Sequence, residues 1–185
     1  MQLLQVEMMR LLIRKIIGRL RLIKYGLSKV HNTCYLAAGS KISKDFVMGE
    51  CGFVNSGALI YPRVLVGRYV MFAKNVSIIG GDHAFRSVGV PIIFSGREEV
   101  ADTHIGDDVW IGQNSIIMRG IKIGDASIVA AGSVVTKDVP AGQVWGGVPA
   151  KFIQNRFNSD ADLASHLDSI KDGYRGIHQF TGKVT

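Results

Sequence analysis

Between Ile105 and Ala141 an aliphatic or small residue returns at every sixth position: Ile105, Ile111, Ile117, Ile123, Val129, Val135 and Ala141. Glycine follows directly at Gly106, Gly112, Gly124 and Gly142. An α-helix repeats every 3.6 residues or so and a strand about every 2, so neither alone accounts for six. A hexapeptide period calls for short strands separated by turns at fixed intervals, which is the pattern of a parallel β-helix.

The same register occupies the first half of the chain at Val30, Leu36, Ile42, Met48, Val54, Ile60, Val66, Phe72 and Ile78. Four positions after these come small or aliphatic residues (Cys34, Ser40, Gly52, Ala58, Val64, Val70 and Val76), with Phe46 the bulky exception. Apolar residues at the repeat position and small ones four later suit a narrow coil interior. The period breaks after Ile78 and resumes at Ile105, 27 positions on, which is four hexapeptides plus three residues. The intervening segment, punctuated by Gly80, Gly81, Gly89, Pro91 and Gly96, reads as a loop leaving the coil. A long excursion from a strict repeat is more often functional than idle. Pro149 ends the repeats, and Asp160 to Lys171 reads as a helix with Leu163, Leu167 and Ile170 on one face, expected to cap the coil. The chain divides into a basic amphipathic helix (1–29), a β-helix (30–155) with its loop at 80–104, and a C-terminal cap and tail (156–185).

Net charge is +7, and residues 1–30 carry seven Lys and Arg against Glu7, which is +6 of it. The remainder is nearly neutral and lacks a basic face with interleaved aromatics, so no nucleic-acid module is expected. Met9, Leu12, Ile13, Ile16, Leu20, Ile23 and Leu27 fall on one helical face flanked by Arg and Lys. Packing of that face on the coil end or a neighbouring subunit is the preferred reading. Contact of residues 1–28 with an anionic membrane is the other, and the two are compatible. Basic residues interrupt the apolar N-terminus before a leader or spanning segment forms, so a cytoplasmic protein is expected, at most peripheral at the inner face of the membrane. Cys34 and Cys51 read as free thiols, Cys34 as a small core residue.

Of the five histidines, His83 stands apart. It follows Gly80-Gly81-Asp82, where the chain leaves the coil and the backbone can turn to expose a side chain. An imidazole near neutrality can take a proton from a hydroxyl and return it. His83 and His104 have no acidic or cysteine cluster beside them, so no metal site is expected. The sequence offers no nucleophile elbow, dinucleotide fingerprint or phosphate loop, which favours direct proton abstraction over a covalent enzyme intermediate.

The stretch IGDDVWIGQNSIIMRGIKIGDASIVAAGSVVTKDVPAGQVWGGVPAK, with GGDHAF before it, resembles the hexapeptide-repeat acetyltransferases of the maltose, galactoside and xenobiotic O-acetyltransferase branch. It is most similar to bacterial O-antigen and capsule O-acetyltransferases, which share a basic N-terminal helix. The resemblance spans residues 30–155. It implies a mainly β fold, a left-handed parallel β-helix of about five coils, assembled as a homotrimer with active sites between subunits. It implies acetyl-CoA as co-substrate, a carbohydrate hydroxyl as acceptor and His83 as general base. Position by position it implies donor contacts at Trp110, Gln113, Ala131, Thr136, Lys137 and Lys151, and acceptor contacts at Asn55, Asp82 and Phe85. Phe85 stands where many polysaccharide-modifying relatives carry a second histidine. Gln154 stands where relatives carry an arginine, a role Arg156 is placed to take over. The expected function is acetyl transfer to a carbohydrate hydroxyl in surface polysaccharide synthesis, with monomeric, nucleotide-linked and lipid-linked acceptors all open. N-acetylation of an amino sugar, acetylation of a xenobiotic, or a non-catalytic trimeric scaffold are the alternatives.

Overall fold

The computed structural model describes Ile13 and residues 16–81, 83–99 and 101–172. Within them sixteen strands, most of two or three residues, wind into a left-handed parallel β-helix of triangular section. The first face stacks β1 (Tyr35–Leu36), β4 (Phe53–Val54), β7 (Met71–Phe72), β10 (Trp110–Ile111), β13 (Ile128–Val129), β15 (Gln143–Gly147) and β16 (Ala150–Asn155). The second face stacks β2 (Lys41–Ile42), β5 (Leu59–Ile60), β8 (Ser77–Ile79), β11 (Ile116–Met118) and β14 (Val134–Val135). The third stacks β3 (Val47–Met48), β6 (Val64–Val66), β9 (Thr103–Ile105) and β12 (Lys122–Ile123). Tyr35 pairs with Phe53 eighteen residues on, so one coil is three hexapeptides. Met71 pairs with Trp110 thirty-nine residues on, so twenty-one extra residues leave the coil between β8 and β9.

The repeat residues make the interior. Leu36, Val54, Phe72, Ile111 and Val129 stack in register behind the first face and are wholly buried. Each such aliphatic or aromatic side chain removed from water contributes about 1.5–3 kcal/mol. The residue four positions on turns inward as well. Where it is serine, the buried hydroxyl donates to a backbone carbonyl: Ser40 to Asn55 (3.2 Å), Ser115 to Ala130 (3.0 Å), Ser127 to Pro140 (2.7 Å) and Ser133 to Ala130 (2.6 Å). No desolvated hydroxyl there is left unpaired, which would cost about 1–3 kcal/mol.

The corners follow a rule the residue types do not announce. From Gly39 to Gly132, the third residue after each inward repeat residue has a left-handed backbone, at every level except Asp45. Glycine fills some of these positions, but Cys51, Arg63, Tyr69, Asn75, Asp108, Asn114 and Ala126 fill others, with φ between 53° and 66°. Non-glycine residues there carry a strain of about 1–2 kcal/mol each. Side-chain ladders bind corner to corner: Thr33 accepts from the Cys51 N–H (2.7 Å), Asp45 from Arg63 (2.7 Å) and Asp125 from Asp107 (2.7 Å).

The last coil departs from the six-residue count. Val139 bridges Ile123 and is buried, whereas Ala141 is exposed, so Ala141 is not the final inward residue that the period predicts. Ile128 then pairs with Val144, sixteen residues on rather than eighteen. The chain next folds back as an antiparallel β15–β16 hairpin with a cis Val148–Pro149 bond at its turn.

Two helices flank the coil. Residues 16–25 form α1, and α2 spans Asp160–Lys171. Ser159 caps α2 by accepting from the Asp162 N–H (3.1 Å). Rather than lying across the open end of the last coil, α2 runs back along one corner. Leu163 meets Gly142, His166 Nε2 sits 2.8 Å from Asp108 Oδ2, and the Lys171 carbonyl accepts from Arg68 (2.6 Å). Arg156 completes the clamp, 2.8 Å from the same Asp108 oxygen.

Within one chain, the face of α1 expected to pack on the coil end or a neighbouring subunit does not pack on the coil. Ile13, Ile16, Leu20 and Ile23 lie open to solvent, while Gly18 and Leu22 on the other side are buried against the first coil. Leu27, beyond the helix, is buried as expected, and Met9 and Leu12 lie outside the described residues. Cys34 and Cys51 are both free thiols, and Cys34 is buried.

Candidate active site

His83 owes its position to two glycines and a stem. Gly80 (φ 120°) and Gly81 (φ 79°) turn the chain out of β8, a course open to glycine because it lacks a Cβ. Arg119, one coil above, pins the exit by donating from Nη1 to the Gly80 carbonyl (3.1 Å). Three residues later His83 forms an antiparallel bridge with Arg97, and the Ala84 N–H donates to the Gly96 carbonyl (3.0 Å). The Ser95 hydroxyl ties the two sides together by hydrogen bonding to the Ala84 carbonyl. The excursion is therefore a narrow hairpin with His83 at its root. Beyond it projects an apolar tip of Phe85, Val88 and a short 3-10 turn, Ile92–Phe94, all exposed. On the return, Arg63 Nε pairs with Asp102 (2.6 Å) and its carbonyl accepts from the Thr103 N–H (2.9 Å).

The His83 imidazole is half-buried, and its Nδ1 is enclosed with no hydrogen-bond partner among the described residues. A ring held by its backbone on both sides, with one nitrogen shut inside, has its other nitrogen left for chemistry. Asp82, expected at the acceptor, lies outside the described residues.

The other expected site residues fall into three groups around the coil. Trp110 projects half-exposed from the first face, in register between Met71 and Ile128, and Lys151 is exposed on the same sheet. Gln113, Ala131 and Asn55 sit at the corner between the first and second faces. There Gly112 packs so tightly beneath Ala131 that an added Cβ would lie 2.8 Å from the Ala131 Cα, and the Gln113 carbonyl accepts from Gly132 (2.8 Å). Asn55 Oδ1 accepts from the next N–H, of Ser56 (2.8 Å), which is the turn-forming use of an asparagine. Thr136 and Lys137 are exposed at the corner between the second and third faces, the corner from which the His83 loop departs.

Within one chain, then, His83 and the Gln113–Ala131 pair stand at two corners separated by the second face. The half-buried Leu59, Ile79, Ile116, Met118 and Val134 lie on the outer side of that face. A shallow groove of about 430 Å³ runs along the third face past His104, Lys122, Asp125 and Asp138, and His83 is not part of it. Sequence reasoning passed over Arg97, Ser95 and Arg119, which fix the loop root. Their partners lie 14, 11 and 39 residues away, so no local spacing points to them.

Residues 102–137 match the bacterial transferase hexapeptide model (six repeats). The chain is 32% identical to a maltose O-acetyltransferase from Clostridium difficile, with a TM-score of 0.58 over 71% of this chain and 68% of that one. The chain belongs to the hexapeptide-repeat acetyltransferase family. A second member, from Vibrio cholerae and crystallised with acetyl coenzyme A, is 27% identical with a TM-score of 0.59, covering 70% of each chain. Among curated sequences, a Lysinibacillus sphaericus protein named "Probable macrolide acetyltransferase" is 37% identical over 55% of this chain and 64% of its own length. The chain spans 64% of that relative and as little as 28% of others.

Proposed function

We propose that this chain transfers an acetyl group from acetyl-CoA to a carbohydrate hydroxyl, with His83 as general base. The observation that carries the reading is the half-buried His83 imidazole, fixed at the root of the inserted hairpin beside the coil. Acetyl-CoA supplies an activated thioester carbonyl. His83 takes the proton of the acceptor hydroxyl as its oxygen adds to that carbonyl. When the C–S bond breaks, the imidazolium returns the proton to the departing thiolate, so a free thiol and an acetyl ester result. Trp110, Gln113, Ala131, Thr136, Lys137 and Lys151 are assigned to the donor, the two lysines toward its phosphates. Asn55, Asp82 and Phe85 are assigned to the acceptor.

The separation of His83 from Gln113 and Ala131 supports a homotrimer in which one subunit's base faces a neighbour's donor corner. Most of the rate then comes from holding two substrates in one inter-subunit groove. Surface polysaccharide synthesis on the cytoplasmic side is the setting this favours, in keeping with the maltose O-acetyltransferase likeness. Acetylation of a drug-like alcohol is the second reading, favoured by the identity to the macrolide-named relative.

The test is thiol release from acetyl-CoA with a panel of glycans and macrolides, comparing wild type with His83→Ala. Loss of about 10²–10⁴-fold in acceptor-dependent release is expected. Equal release by both proteins would overturn the assignment of His83. Turnover of macrolides alone would select the second reading.

A further inference from the structure

Helix α1 carries two apolar faces, and the coil uses only one. Gly18 and Leu22 are buried and Tyr25 half-buried against the first coil. Arg21 locks that contact by donating from Nη1 to the Leu36 carbonyl (2.9 Å) and the Tyr35 hydroxyl (3.2 Å). At about 100° of rotation per residue, Ile13, Ile16, Ile17, Leu20 and Ile23 fall within an arc of roughly 120° on the far side of the helix. These five are 39–77% exposed, and no described residue covers them.

The charge around that arc identifies its partner. Residues 8–44 contain nine Lys and Arg and not one Asp or Glu. Arg19 is exposed beside the arc, Lys24 within it at the C-terminal end of the helix, and Lys29 just past that end. A second copy of this helix laid on the arc would bring like charges together, whereas a negatively charged surface would neutralise them. A wide apolar arc with cations at its edge and C-terminal end is the make-up of an interfacial anchor, and no helix among the described residues is long and apolar enough to cross a membrane.

We propose that α1 docks the protein on an anionic bilayer: Ile13, Ile16, Ile17, Leu20 and Ile23 enter the boundary between headgroups and acyl chains, and Arg19, Lys24 and Lys29 meet lipid phosphates. The opposite face, through Leu22 and Arg21, holds the coil at the membrane surface. The proposal stands on the geometry of α1 and is independent of the acetyl-transfer reading, which survives if this fails.

The full chain is sedimented with vesicles of phosphatidylcholine, with and without phosphatidylglycerol. Wild type is expected to bind the phosphatidylglycerol vesicles, more weakly in raised salt, and to bind phosphatidylcholine alone poorly. Leu20→Glu/Ile23→Glu, at two exposed positions, is expected to weaken binding at least about tenfold with an unchanged melting curve. Lys24→Glu/Lys29→Glu is the second variant and is expected to lose the preference for anionic vesicles. Wild type left in the supernatant, or both variants sedimenting as wild type does, would overturn the proposal. So would a fall in oligomer mass by light scattering in Leu20→Glu/Ile23→Glu without a change in vesicle binding, since a second copy would then be the occupant.

Discussion

His83 and Arg97 pair backbone to backbone in an antiparallel bridge, although thirteen residues of loop separate them. The candidate base is thus held from both sides, by the glycine turn out of β8 and by the returning strand. Ser95 reinforces the stem, bonding to the Ala84 carbonyl and donating to that of Ile92 (2.7 Å). Removing its hydroxyl should loosen the imidazole without touching the coil. Ser95→Ala is therefore expected to lower kcat about tenfold to a hundredfold, with KM for acetyl-CoA and the unfolding midpoint little changed. Steady-state kinetics alongside thermal denaturation separates this from a general loss of structure, which would move both.

The inward residues were legible in the sequence because a six-residue period in hydrophobicity is a statement about burial. Leu36, Val54 and Phe72 follow it without exception. The corners were not legible, since positive φ falls on Arg63, Tyr69 and Ala126, none of which favours that backbone. Val139 displaced Ala141 because closing the last coil two residues early depends on pairing with Ile123, a contact between coils that no local period encodes. The side of α1 that meets the coil of its own chain was not legible for a different reason. Gly18 and Leu22 pack on the coil, while the wider apolar arc, the stronger signal in the sequence, faces away from it. At the site, the GGDH turn placed His83 at the root of a loop, but the stem that holds it is a long-range pairing. The division of the residues expected at the donor between the first face and two corners follows from the winding, which no local spacing encodes.

A glycine directly after a repeat residue and a glycine at a corner are expected to differ sharply in what they tolerate. At Gly106 an added Cβ would press on the Asp125 side chain and lie 2.8 Å from its backbone nitrogen. The neighbouring coil has nowhere to move, so Gly106→Ala is expected to cost about 2–3 kcal/mol. At Gly132 (φ 69°) nothing lies within 4 Å, so Gly132→Ala pays the left-handed backbone strain alone, about 1–2 kcal/mol. Urea unfolding of the two variants should rank them in that order. The reverse order would mean that corner packing is looser than the coil geometry requires.

Cys34 and Cys51 should react at very different rates. Burial pushes the Cys34 thiol up to about 11, and its Sγ donates to the Gly49 carbonyl (2.9 Å). At pH 8 almost none of it is thiolate, the reactive form, and the coil shields it besides. Cys51 is half-buried at a corner. Iodoacetamide treatment of the native protein followed by mass spectrometry is expected to show one adduct, on Cys51, and two after denaturation. Modification of Cys34 in the native state at a rate matching Cys51 would show that the first coil opens.

Asp45 should make the first coils sensitive to acid. Burial draws its carboxyl upward, but the hydrogen bonds it accepts from Ser43, the Arg63 N–H and its own N–H prevail and hold it below the usual carboxylate range. A carboxylate more acidic in the folded chain than in the unfolded one stabilises the fold above its unfolded pKa of about 4, and that contribution is lost as pH falls through the lower folded value. Its bond to the Arg63 N–H (2.7 Å) links one coil to the next at the one corner between Gly39 and Gly132 without a left-handed residue. Asp45→Asn is expected to cost about 1 kcal/mol at pH 7, modest because the group is partly solvated, and progressively less below pH 4. Urea midpoints of wild type and variant should therefore converge as the solution is acidified. A gap of constant size from pH 7 to pH 3 would show that Asp45 acts by shape and not by charge.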